Sequence, residues 1–151
     1  MTAILIAICA AALLLVGFWW TKRTKDKQQL EHYSITPEAL QQLLTSRQDV
    51  QVYDVRLPLD LLTDSEIIPG AQRLSPKEVI ENPSLISRDK DAVVYCTCPS
   101  DETSRNILQR ALALRFVRIK FLKGGLEAWK AKGYPVEPYT KPFHLDSATS
   151  D

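Results

Sequence analysis

The sequence predicts an α/β fold in which a mostly parallel central sheet is flanked by helices and preceded by one transmembrane helix. Three observations predict it. Residues 3–20, AILIAICAAALLLVGFWW, form an uncharged apolar run. From Ser34 to Tyr139, short β-rich runs alternate with short amphipathic ones, the pattern of strands joined by crossover helices. AVVY, Ala92 to Tyr95, is wholly apolar, as a strand buried on both faces requires.

The apolar run reaches the length, about 18 residues or more, that crosses a hydrocarbon core. Phe18, Trp19 and Trp20 close it where an aromatic belt meets the interface. Lys22, Arg23, Lys25 and Lys27 follow against a single Asp26, and no Lys or Arg precedes the run. The positive-inside bias then expects a single-pass protein of the bacterial inner membrane, its C-terminal domain facing the cytoplasm. A cleaved signal peptide would need a basic n-region and a small-residue cleavage site, and both are missing. The expected organisation is a transmembrane helix over 1–20, a basic juxtamembrane linker over 21–33, a folded domain over 34–139 and a flexible tail over 140–151.

Within the domain, Thr36 is the expected N-cap of a first helix, with Pro37 at its first position and Ala39, Leu40, Leu43 and Leu44 on one face. QVYDVR, Gln51 to Arg56, reads as a strand. Pro69-Gly70 turns the chain into AQRL, Ala71 to Leu74, a second strand, and Ser75-Pro76 opens a short helix. After AVVY, a helix is expected from about Thr103 to Leu114, with Ile107, Leu108, Ala111 and Leu114 inward. VRIKFL is the next strand. Gly124-Gly125 leads into a helix carrying Leu126 and Trp129, which Gly133 stops and Pro135 keeps from continuing.

A net charge of +1 gives no electrostatic footprint for nucleic acid, so no nucleic-acid partner is expected. Three cysteines are an odd number for a disulfide framework, which points to a reducing compartment. Cys9 lies in the apolar run and reads as a small apolar residue there. Cys96 directly follows AVVY and precedes a helix. The carboxyl ends of parallel strands are where such sheets build sites. A helix N-terminus offers unpaired N–H groups and partial positive charge, which favour thiolate over thiol. On position alone, a structural cysteine at the top of a core strand is an equally good reading.

Four motifs in order bear on that choice. Asp54-Val55-Arg56, Ile67-Ile68-Pro69-Gly70-Ala71, Val93-Val94-Tyr95-Cys96 and the stretch from Gly124-Gly125 through Trp129 to Gly133-Tyr134-Pro135-Val136 together resemble the rhodanese family, over roughly Ser34 to Tyr139. The resemblance implies a rhodanese-like sheet and a sulfurtransferase in which Cys96 takes sulfane sulfur as a persulfide and passes it on. The donor and acceptor would be small thiols or proteins, with no cofactor. It implies that Asp54 and Arg56 support the site, and that Thr97, Pro99, Ser100, Asp101, Glu102 and Thr103 form the active-site loop with Cys96 and Cys98. Asp54 and Arg56 are expected to organise the strand end, Trp129 to lie in the core, and the two glycines to permit a tight turn beside the site.

The departures are equally specific. Ile67 stands where the family usually has histidine. Pro99 and Asp101 stand where its common loop has glycine and a basic residue. The longer loop of the rhodanese-like phosphatases holds phosphate with an arginine six residues after the cysteine, and that place is Glu102, so phosphatase chemistry is not expected. Asp101 and Glu102 suit the first turn of a helix. Two carboxylates there would also raise the thiol pKa and repel a dianion such as thiosulfate. Cys98 could resolve a persulfide or sulfenic acid on Cys96. A shared metal would need more ligands than His32 and His144, near the two ends of the soluble part, can supply, so none is expected. Two alternatives therefore accompany the sulfurtransferase: a thiol–disulfide redox protein using Cys96 and Cys98, and a non-catalytic docking module at the membrane.

Overall fold

The computed structural model describes residues 13–21, 31–97 and 102–142, with Glu102 described by its backbone only. The chain divides into two compact units, residues 1–33 and residues 34–151. In the first, residues 13–21 are helical and the apolar side chains Leu13 to Val16 and Phe18 to Trp20 are all exposed. The expected transmembrane helix falls partly on residues 1–12, which lie outside the described residues. Among the described residues, no helix is long and apolar enough to cross a membrane.

The second unit carries a five-stranded, wholly parallel sheet. Its strands are β1 (Ser34–Ile35), β2 (Val50–Asp54), β4 (Gln72–Arg73), β5 (Asp91–Tyr95) and β6 (Ile119–Leu122), in the order β1-β6-β5-β2-β4. A two-stranded antiparallel ribbon pairs β3 (Glu66–Ile67) with β7 (Glu137–Pro138). The helices are α1 (Pro37–Thr45), α2 (Pro58–Thr63), α3 (Pro76–Glu81), α4 (Glu102–Ala113) and α5 (Gly125–Ala131).

Central position explains the composition of β5. It lies between β6 and β2, and Ala92, Val93, Val94 and Tyr95 are all buried, so both faces are covered. Each valine contributes roughly 1.5–3 kcal/mol by leaving water. Because side chains alternate along a strand, Val93 and Tyr95 face one layer and Val94 the other. The first layer joins them to Ile35, Leu40, Val52, Ile68, Leu122, Leu126 and Trp129, with Ala39, Leu43 and Leu44 of α1 packed against the cluster. The apolar face expected for α1 is thus its buried face.

Local signals set the ends of these elements. The Thr36 side chain accepts the Ala39 N–H at 3.3 Å, and Pro37 opens the helix, as the sequence predicts. Glu38 in the first turn pairs with Lys132 at 2.7 Å, and the lysine hydrogen bond lowers its carboxyl pKa to about 2. Two elements are absent from the sequence reading. Helix α2 has only six residues, too few for a periodic signal, and the β3–β7 ribbon pairs two residues with two. Ile67, in the place expected of histidine, lies buried in that ribbon opposite Glu137. Its role there is packing.

Candidate active site

Cys96 follows β5 directly and is buried, with 1% of its surface exposed. Its backbone is tied to two neighbouring segments. The Cys96 carbonyl accepts the Leu126 N–H of α5 at 3.2 Å, and the preceding Tyr95 carbonyl accepts the Val55 N–H at 3.0 Å. The first contact demands glycine beside it. Gly124 caps α5 at φ +69° and Gly125 opens it at φ +55°. A Cβ on Gly125 would stand 1.8 Å from the Cys96 carbonyl oxygen, inside any possible contact. The two glycines therefore make the turn that lets α5 approach the cysteine.

Asp54 and Arg56 form a fully buried pair where β2 ends. Arg56 Nε donates to both carboxylate oxygens, at 3.0 and 2.9 Å, and Nη2 donates to Oδ2 at 2.7 Å. The same guanidinium reaches on to the carbonyls of Asp64 and Glu66, both at 2.8 Å, so it fastens the strand end to the segment between α2 and β3. Burial opposes the charge on Arg56, but the bonds and charge of Asp54 outweigh it and raise its pKa. Burial, with Asp54 nearby, pushes the Tyr95 phenol far up, so it stays neutral, and its hydroxyl accepts the Ile68 N–H at 3.3 Å. Asp54 and Arg56 thus organise the strand end, as the sequence reading expects of them.

Arg73, Asp60 and Ser104 are contributors the sequence reading does not mark; Thr97, expected in the loop, meets one of them. Arg73 Nη1 donates to the Asp54 carbonyl at 3.1 Å and to the Leu74 carbonyl. The Thr97 hydroxyl, next to Cys96, donates to Asp60 Oδ2 at 2.7 Å. Asp60 stands in the first turn of α2 and also accepts the Leu57 N–H at 3.2 Å. Pro58 followed by Asp60 is an N-terminal helix signature that could have located both α2 and this carboxylate. Ser104 is buried in the second residue after the start of α4, and its hydroxyl has no hydrogen-bond partner among the described residues.

Of the expected loop, Thr97 and Thr103 are placed, both half-buried. Thr103 borders a groove of about 620 Å³ formed with Leu57, Pro58, Pro76, Ile80 and Asn106. Helix α4 begins at Glu102, one residue before the expected start. Cys98, Pro99, Ser100, Asp101 and the Glu102 side chain lie outside the described residues. Trp129 is a core residue, as expected: it is fully buried, and its Nε1 donates to the Pro135 carbonyl at 2.9 Å.

Fold and site together define a parallel α/β domain with a buried cysteine at the carboxyl end of its central strand. The chain belongs to the rhodanese-like family: the profile of the Rhodanese-like domain matches residues 36–132. A sulfurtransferase of Allochromatium vinosum is 30% identical over 102 residues, covering 68% of this chain and 92% of the relative. A rhodanese-related protein from Thermoplasma volcanium is similar in structure, with a TM-score of 0.56, 25% identity and coverage of 69% of this chain and 96% of its own. A full-length Lactobacillus plantarum protein has the same fold at a TM-score of 0.65 and 22% identity, covering 78% of this chain and 98% of its own.

Proposed function

We propose that this chain is a membrane-anchored sulfurtransferase that carries sulfane sulfur as a persulfide on Cys96. The observation that carries the reading is the seat of Cys96 at the carboxyl end of the central strand, held against α5 through Leu126 N–H in a rhodanese-like domain. Membership of the family and the sulfurtransferase relative support the reaction class.

The chemistry runs in two displacements. The Cys96 thiolate attacks the sulfane sulfur of the donor. A bond forms between the two sulfurs, the bond from that sulfur to the rest of the donor breaks, and its electron pair leaves with the donor fragment. An acceptor nucleophile then attacks the outer sulfur. The sulfur–sulfur bond breaks and its electron pair returns to Cys96 as thiolate, so no external oxidant or reductant is consumed.

Anchoring rests on the uncharged run over 3–20, the exposure of Leu13, Leu14, Trp19 and Trp20 in its helical part, and the basic residues after it. In this reading the domain faces the cytoplasm from a bacterial inner membrane, and the basic residues after the run support that orientation. Two measurements test the proposal. Cys96→Ser in the full chain abolishes transfer of sulfur from a persulfide donor to a thiol acceptor, with the fold kept. A reporter fused after Asp151 is active only if it works in the cytoplasm. Transfer by Cys96→Ser at the parent rate overturns the reaction, and a periplasm-only reporter that is active overturns the orientation.

A further inference from the structure

We infer that Asp60 is a positioning residue for Cys96, acting through the hydroxyl of Thr97; the inference deepens the sulfur-carrier reading and rests on it. The carboxylate belongs to α2, an element other than the strand that carries the cysteine. Its Oδ2 accepts two donors at once: the Leu57 N–H at 3.2 Å, which fixes the carboxylate against the start of its own helix, and the Thr97 hydroxyl at 2.7 Å. A hydroxyl donating to a carboxylate at that distance is a charge-assisted bond, in the strong class. Thr97 immediately follows Cys96, so this bond holds the peptide on the far side of the thiol-bearing residue.

The backbone from Tyr95 to Thr97 is thereby held at three points by three different segments. The Tyr95 carbonyl is held by Val55 just past β2, the Cys96 carbonyl by Leu126 of α5, and the Thr97 side chain by Asp60 of α2. The first contact fixes the entry to the cysteine, and the second holds its exit at the Cys96 carbonyl. The third secures that exit from the other side, at the Thr97 side chain, and the torsions on both sides of Cys96 decide where its sulfur points. A reaction that needs in-line attack on a sulfur–sulfur bond loses rate when that direction is loosened. Capping of α2 alone does not account for the arrangement, because the Leu57 N–H caps the helix without Thr97.

The test uses the full chain and four variants: Thr97→Val, Asp60→Ala, Asp60→Asn and the Thr97→Val/Asp60→Ala double. Sulfur loading from glutathione persulfide and alkylation of Cys96 by iodoacetamide are both followed, the label being mapped to Cys96. Thr97→Val and Asp60→Ala each lower the maximal loading rate by about tenfold with little change in KM, the effect of losing one charge-assisted hydrogen bond. The double variant is no slower than the slower single, because both remove the same bond. Asp60→Asn keeps an acceptor oxygen and recovers the rate to within about threefold. Loading by Thr97→Val at the parent rate, multiplying effects in the double, or no recovery in Asp60→Asn overturns the inference. If the parent chain takes up no sulfur, the sulfurtransferase reading fails by itself. Alkylation rates then still decide the inference: matched, non-additive changes in Thr97→Val and Asp60→Ala with recovery in Asp60→Asn support it, and any other pattern overturns it.

Discussion

Gly125 lies against Cys96 so closely that a Cβ at Gly125 would come within 1.8 Å of the cysteine carbonyl oxygen. The φ of +55° adds a second penalty for any side chain. Gly125→Ala therefore costs at least about 3 kcal/mol of stability, since the backbone of α5 must retreat from Cys96. Gly70 is the control. It has a φ of +76° but nothing within 4 Å of its would-be Cβ, so Gly70→Ala costs only the left-handed conformation, about 1–2 kcal/mol. Urea unfolding of both variants measures the difference; equal losses would contradict the close approach.

The Asp54–Arg56 pair predicts a large loss of stability when either partner is removed. Removing one partner strands a buried charge, so Asp54→Ala and Arg56→Leu each cost about 3–5 kcal/mol. Arg56→Lys is also damaging, because an ammonium cannot bridge both carboxylate oxygens and the carbonyls of Asp64 and Glu66 together. Denaturant unfolding checks this, and a loss in Arg56→Lys below about 1 kcal/mol would show that the fork geometry is dispensable.

These two arrangements mark how far the sequence was legible. The glycine pair, the buried strand Ala92–Tyr95 and the capped helix after Thr36 announce themselves because each obeys a local rule: left-handed turn, two-sided burial, N-cap with proline. The Asp54–Arg56 pair could be placed at the strand end, but its reach to Asp64 and Glu66 could not, since those carbonyls arrive through a turn of tertiary origin. Asp60 and Thr97 are 37 residues apart and meet only because β2 and β5 are neighbours in register. No local pattern encodes that meeting. Helix α2 and the β3–β7 ribbon escaped because elements of six and two residues are too short for periodicity to show.

Lys130 gives a pH-dependent prediction. It bridges Asp64 at 2.9 Å and Glu66 at 2.5 Å. Partial burial would raise the Asp64 pKa, but the hydrogen bonds from Lys130 and the Glu66 N–H, with the charges of Lys130 and Arg56, together outweigh it and hold the value below the ordinary 3.8. Bonds to Glu66 and Asp64 hold the Lys130 pKa above the ordinary 10.5. The stabilisation is therefore full between those ordinary values. It is lost as pH falls through the folded value of Asp64, and again as pH rises through that of Lys130. The groups are about a third exposed, so solvent screening limits the effect to about 0.5–1 kcal/mol. Lys130→Met should thus differ from the parent most near neutral pH, with the gap closing at both extremes. A gap that persists unchanged into acid would contradict the assignment.

The acidic loop after Cys96 predicts a donor preference. Asp101 and Glu102 stand where the family's loop carries no such pair of acids. Screened near-neighbour repulsion of about 1 kcal/mol is worth about fivefold in rate. Asp101→Asn with Glu102→Gln should raise the loading rate with thiosulfate by about that factor, and should move the pH profile of Cys96 alkylation to lower pH. If both acids oppose the helix dipole as their sequence position suggests, the same change lowers stability by about 1 kcal/mol. An unchanged thiosulfate rate together with an unchanged profile would leave these acids a capping role alone.

Whether Cys96 carries the sulfur is read most directly from the intact mass of the full chain after exposure to a sulfur donor, followed by peptide mapping. A gain of one sulfur atom, about 32 Da, is expected on Cys96, absent from Cys96→Ser and as long-lived or longer-lived in Cys98→Ser. Sulfur found on Cys98 with Cys96 unmodified, or a loss of two hydrogens across the two cysteines in place of the gain, would contradict it.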